Sequence, residues 1–135
     1  MSLLCLLPDE MSVARLPADA AIPAWATASP FFSITRTPDE LSILCPAARV
    51  PAGVRAEAGW RCLQVAGPLD FGLVGVLAAL LGPLQQAGIS VFVLSTYDTD
   101  YVLVKKAQLS RTLHALRAAG HEIKEGSAKD APSSA

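Results

Sequence analysis

The sequence predicts an α+β fold of two tandem units, the first one shortened, with helices laid on one face of a sheet. Three observations predict it. From Trp60 onward the chain reads strand, helix, strand, strand, helix and a short final strand, an order that closes split β-α-β pairs. Residues 31–45 echo residues 89–104, each being two apolar runs around an acidic turn. Hydrophobic residues make up 52% of the 135, against 17% charged, so a buried core is well supplied and the disordered class is excluded.

Taken in order, the N-terminal run 1–7 is apolar but lacks a basic leader and is cut by Pro8-Asp9-Glu10, so it does not read as a signal peptide. Residues 11–16 form a short strand. Residues 23–28 form a brief helical turn, with Pro23 where a missing N–H does no harm. Strands follow at 31–37 and 41–45, joined by Pro38-Asp39-Glu40, in which Pro presets φ and the Asp side chain can bond nearby backbone. Pro51 and Gly53 leave 47–57 as a loop or broken helix.

A strand then runs from Trp60 to Ala66. Gly67-Pro68-Leu69 breaks it, and Asp70 is placed to cap a helix extending to about Ala87. Leu73, Leu77, Leu80 and Leu84 mark one face of that helix, and Val74, Ala78 and Leu81 make the other apolar as well, which calls for cover on more than one side. Its run of apolar residues is shorter than the roughly 20 needed to cross a bilayer. Gly88 ends it. Residues 89–94 and 101–104 are β-branched, near-continuous apolar runs, as in strands with little solvent exposure. Residues 107–119 form an amphipathic helix, Leu109, Leu113 and Leu116 inward and Arg111, His114 and Arg117 outward, closed by Gly120. Residues 121–123 add an edge strand. The expected division is 1–59, 60–123 and a disordered tail 124–135.

Charge and composition exclude several functions. The net charge is −1, and the 11 Lys and Arg residues are scattered, so no basic stripe awaits nucleic acid or an anionic membrane. The cysteines (Cys5, Cys45, Cys62) have no metal-binding spacing, and Cys45 and Cys62 lie in apolar stretches, where a free Cys behaves as a small hydrophobe; no disulfide framework emerges, and the expected compartment is the cytoplasm. Asp98-Thr99-Asp100 after an apolar strand resembles the nucleophile motif of haloacid dehalogenase phosphatases. Such an enzyme needs a downstream Lys and a second acidic cluster, and the 35 residues that follow Asp100 read mostly as helix and tail. His114 reads as a solvated helix residue and His121 as a cation beside a helix C-terminus. No acid/base pair can be assembled, and the reading is of a protein without catalysis, cofactor or metal.

What remains is binding. The polar turn Ser95-Thr96-Tyr97-Asp98-Thr99-Asp100 offers hydroxyls and carboxylates at the end of an apolar hairpin, and the loop from Gly67 leads to a helix N-terminus suited to a carboxylate. The same residues are also what a tight turn requires, and spacing alone leaves both readings open.

The stretch from Gly88-Ile89-Ser90-Val91 to the Ser95–Asp100 turn and Tyr101-Val102-Leu103-Val104 resembles the ACT-domain amino-acid-binding proteins. Among these it is similar to the small bacterial two-ACT proteins and the CASTOR-type arginine sensors. The resemblance covers residues 60–120; residues 1–59 match only the order of elements of a first, degenerate ACT unit. It implies the ferredoxin-like βαββαβ ACT fold and a free amino acid held at an interface between ACT units; a homodimer is expected from the helix 72–87, apolar nearly all round. It also implies the contacts: Ser90 and Val91 at the start of a strand, Thr96 and Asp100 in the turn with Asp100 facing the ligand's ammonium, and the backbone of Asp70, Phe71, Gly72, Leu73, Val74, Gly75 and Val76 around it. The arginine sensors carry an acid within that last segment, whereas this chain has Phe71-Gly72-Leu73-Val74-Gly75. A ligand with a neutral or apolar side chain is therefore expected, because a buried unpaired guanidinium is costly. An unidentified protein effector would read the bound state. The competing reading is a structural or partner-binding dimer with a vestigial pocket.

Overall fold

In the computed structural model, which describes residues 2–67 and 75–125, the apolar N-terminus is strand from the outset. Strand β1 covers Leu3–Leu16, fourteen residues, and passes straight through Pro8-Asp9-Glu10. This corrects the expectation of a strand confined to 11–16. Pro8 is exposed, as a strand proline without an N–H to donate tolerates best. The other elements are β2 (Ser33–Arg36), β3 (Leu41–Pro46), β4 (Ala56–Val65), α1 (Val76–Gln86), β5 (Val91–Ser95), β6 (Asp100–Lys105), α2 (Leu109–Ala118) and β7 (Glu122–Glu125). Strand β4 thus begins four residues before Trp60, and β7 takes in Lys124 and Glu125, which had been assigned to the tail.

Contacts divide the chain into two units, Asp9–Trp60 and a discontinuous one made of Met1–Pro8 with Arg61–Ala135. In the first, β1 pairs antiparallel with β3 from Met11↔Pro46 to Leu16↔Leu41, and β2 lies antiparallel on the far side of β3. Arg15 N–H donates to the Arg55 carbonyl (2.9 Å) and Ser12 Oγ to the Glu57 carbonyl (3.3 Å), bringing the start of β4 alongside β1. The β2–β3 turn is built on Thr37, whose Oγ1 accepts from the N–H groups of Asp39 and Glu40, both at 3.1 Å. That side chain does the work expected of Asp39. Ala14, Leu41, Ile43 and Cys45 are buried with Ala26 of the 3-10 turn Ala24–Thr27.

The second unit has the βαββαβ order expected, β4-α1-β5-β6-α2-β7, with one addition. Its strands lie in the order β7-β1-β4-β6-β5, because the beginning of β1 sits between β7 and β4. Leu3–Leu6 pair in parallel with Glu122–Glu125, and Ala66 N–H donates to the Leu3 carbonyl (2.9 Å) on the other side. Alternate residues of these strands, Leu4, Leu6, Leu63, Val65, Val102 and Val104, pack with Leu80 and Leu84 of α1 and Leu116 of α2. Cys5, Cys62 and Leu103, at the intervening positions, are fully buried as well. That double burial is why β6 reads as a continuous apolar run.

Helix α1 starts later than its leucine spacing suggested. Gly75, at φ 84°, is its N-cap, and its carbonyl accepts the first helical bond from Ala79 N–H (2.9 Å). Asp70, expected to cap this helix, lies outside the described residues. Val76, Leu77 and Leu81 pack on the core beside Leu80 and Leu84, whereas Ala78 and Ala79 are exposed. The outward side of α1 thus carries Ala78, Ala79, Gln85 and Gln86, all exposed. Both helices end alike. Gly88 N–H donates to the Gln85 carbonyl and Ile89 N–H to that of Leu84, while Gly120 and His121 do the same to Arg117 and Leu116. These are Schellman ends, which need the positive φ that Gly88 (73°) and Gly120 (95°) supply. Arg111 of α2 donates to the Ala87 carbonyl, placing a cation at the negative end of α1.

Pro83 lies inside α1 and cannot donate to the carbonyl of Ala79. His121 fills the gap. Its Nε2 lies 3.1 Å from the Ala79 carbonyl oxygen, and its Nδ1 accepts from Ser2 N–H at 3.1 Å. This pair of bonds fits the neutral ring with its proton on Nε2. The residue is buried, so its role is to join α1 to the chain's first strand and not to stand as a free cation at a helix end.

Candidate ligand-binding site

The β5–β6 hairpin is in register from Val91↔Val104 to Ser95↔Asp100, leaving Thr96-Tyr97-Asp98-Thr99 as its connection. Thr96 closes this connection. Its N–H donates to the Thr99 carbonyl (2.8 Å), its Oγ1 donates to the same carbonyl (3.1 Å), and Thr99 N–H lies 3.3 Å from that Oγ1. The Asp100 carboxylate, half-buried, accepts a 2.6 Å hydrogen bond from Ser95 Oγ across the strand pair. Ser95 was not singled out from sequence; its signal is its place directly opposite Asp100, which only the register reveals. Tyr97 is 81% exposed, and Asp98 is exposed beside it.

Thr99 differs from its neighbours. It is 4% exposed, and its Oγ1 donates to the Val65 carbonyl at 2.6 Å. Next to it, Tyr101 Oη accepts from Gln64 Nε2 at 3.2 Å. Burial pushes the Tyr101 hydroxyl above its usual pKa, with smaller contributions from Cys62 and the Asp98 carboxylate. Burial likewise pushes the Cys62 thiol up to about 12, so this cysteine is a small apolar residue and not a nucleophile.

The candidate residues fall into two groups at opposite ends of the hairpin. Thr96 and Asp100 lie at the end where β4 finishes, which is also the end from which the chain leads to Gly75 and Val76 at the start of α1. Gly75 is exposed and, having no side chain, offers the helix no side-chain cap. Ser90 and Val91 lie at the other end, after Gly88 and the last turn of α1; Ser90 is exposed and Val91 half-buried against the core. Four strand residues at about 3.3 Å each separate the groups by about 13 Å. Within one chain they do not converge. Asp70, Phe71, Gly72, Leu73 and Val74 lie outside the described residues. Among the described residues, no three or more His, Cys, Asp and Glu side chains are grouped to hold a metal, and no helix is long and apolar enough to cross a membrane.

Fold and turn together define a small ferredoxin-like module whose polar residues gather at the ends of strands. A family model described as an ACT domain matches residues 55–118, and a second, described as an N-terminal domain, matches residues 9–53. Protein Atu0741 from Agobacterium tumefaciens is 42% identical, with a TM-score of 0.87 over 93% of this chain and 94% of that one. The regulatory subunit of aspartate kinase from Thermus thermophilus gives a TM-score of 0.59 at 12% identity, over 83% of this chain and 93% of that one, a likeness of fold alone. The cytosolic arginine sensor for mTORC1 subunit 1 of Bos taurus is 32% identical over 97 residues, which are 64% of this chain and 30% of the sensor. This chain thus spans less than a third of that sensor's length. Residues 55–118 are thus an ACT domain.

Proposed function

We propose that this protein is a regulatory sensor of the cytoplasm that binds a free amino acid at an interface between ACT units and catalyses nothing itself. The observation that carries this reading is the separation of the candidate residues. An amino acid bears its ammonium and carboxylate on one carbon, so contacts about 13 Å apart along β5 cannot both surround it within one unit. A second unit resolves the difficulty: Asp100, Thr96 and the start of α1 from one would meet Ser90 and Val91 from another. In a homodimer with twofold symmetry the same pairing arises twice. The similarity to a protein named as an arginine sensor supports the amino-acid class. The sequence Phe71-Gly72-Leu73-Val74-Gly75 holds no acid for a guanidinium, which favours a neutral or apolar side chain. With no catalytic group assigned, the bound state would act through a protein effector.

A thermal-shift screen of the twenty amino acids, paired with sedimentation, tests this. One or a few neutral amino acids should raise the melting temperature, with about 2.7 kcal/mol added at 100 times Kd, and the dimer should persist at micromolar concentration. Asp100→Ala should abolish the shift. No shift with any amino acid would leave the vestigial-pocket dimer as the better reading, and a monomer with and without ligand would sink the interface.

A further inference from the structure

We infer that Thr99 is the positioning residue of the ligand turn, setting Thr96 and Asp100 through a buried hydrogen bond to β4 without touching ligand itself; the inference rests on the sensor reading above. Ser95, Thr96, Tyr97 and Asp98 are all exposed, so nothing about their burial fixes where the tip of the hairpin lies. Thr99 is buried, and its Oγ1 bond to the Val65 carbonyl, at 2.6 Å, ties the tip to the last residue of β4. Both turn residues assigned to ligand depend on it. The Thr96 hydroxyl is oriented by the Thr99 carbonyl and N–H (3.1 and 3.3 Å), so it follows wherever Thr99 is held. Asp100 is the next residue, and neighbours entering a strand point to opposite faces, so an inward Thr99 dictates the direction of the Asp100 carboxylate. Ser95 then fixes its rotamer from across the pair. A valine has the shape of threonine without the hydroxyl, and serine keeps the hydroxyl without the methyl; the two substitutions separate packing from the bond.

Amide exchange measured by NMR on the full chain without ligand reads the tether directly. Thr99→Val should speed exchange of the Thr96 and Thr99 amides about tenfold, the value of one hydrogen bond, while the Ile43 amide in β3 stays as in wild type. Thr99→Ser should restore slow exchange. In the amino-acid titration, Thr99→Val should weaken binding about tenfold and Thr99→Ser should bind as wild type. Unchanged exchange in Thr99→Val overturns the inference, as does faster exchange with unchanged affinity, which would make Thr99 a fold residue only. Exchange that speeds up in Thr99→Val and is slow again in Thr99→Ser, while wild type binds none of the twenty amino acids, would uphold the tether and overturn the sensor reading instead.

Discussion

His121 shows how one side chain answers for a neighbour's chemistry. Pro83 removes a donor from the middle of α1, and the carbonyl it leaves at Ala79 is taken up by the imidazole, whose other nitrogen holds the backbone of Ser2. Replacing it, as in His121→Ala, strips partners from two polar groups at once. A loss of about 2 kcal/mol in denaturant unfolding is expected, and a loss below about 0.5 kcal/mol would mean that water replaces the ring at both groups. The sequence assigns His121 a structural part, but for a different reason, the helix end that precedes it. What it could not reveal was that Ala79 and Ser2 would be its partners, because they lie 42 and 119 residues away. Ser95 and Thr99 escaped for the same reason. Their hydroxyls were visible in the turn, but their acceptors are set by strand register and by the neighbouring strand.

At the scale of elements, the chain was legible wherever the signal was local. The β5–β6 hairpin was expected at 89–94 and 101–104 and lies at Val91–Ser95 and Asp100–Lys105. Helix α2 buries Leu116 and exposes Arg111, His114 and Arg117, as its periodicity requires. The glycine ends of both helices were readable because a Schellman turn needs one residue type at one place. Gly88→Ala tests that argument cleanly. A Cβ there would meet only Arg111 Nη2, at 3.9 Å, so the expected cost of about 1 kcal/mol is conformational and not steric. A melting curve unchanged from wild type would show that the φ of 73° is not needed. Two elements were misread. The start of α1 was placed at Asp70 because an acid before an apolar run resembles a cap, whereas the chain uses the left-handed Gly75. The first half of β1 was missed because Pro8-Asp9-Glu10 resembles a terminator, and its pairing with β4 and β7 leaves no mark nearby in sequence.

At the scale of the molecule, the division of β1 between two units governs what can be cut from it. Residues 1–8 belong to the unit that otherwise begins at Arg61, and Leu3–Leu6 form an interior strand of it. A chain of 61–125 should therefore lack the strand between β7 and β4 and fail to fold. Because β1 and β4 run antiparallel there, joining Pro8 to Arg61 through a two-residue Asn-Gly turn should restore a cooperative melt. A cooperative melt from 61–125 alone would refute the assignment of those eight residues.

The same arrangement sets an order of events during synthesis. Leu3–Leu6 are made before both of their neighbours: β4 is not complete until Val65 and β7 not until Glu125. Until β4 is made, four apolar residues wait without either neighbour, a segment that chaperones or aggregation would claim if it paired elsewhere. The insertion of an earlier strand between two later ones means that this unit closes only when β7 arrives.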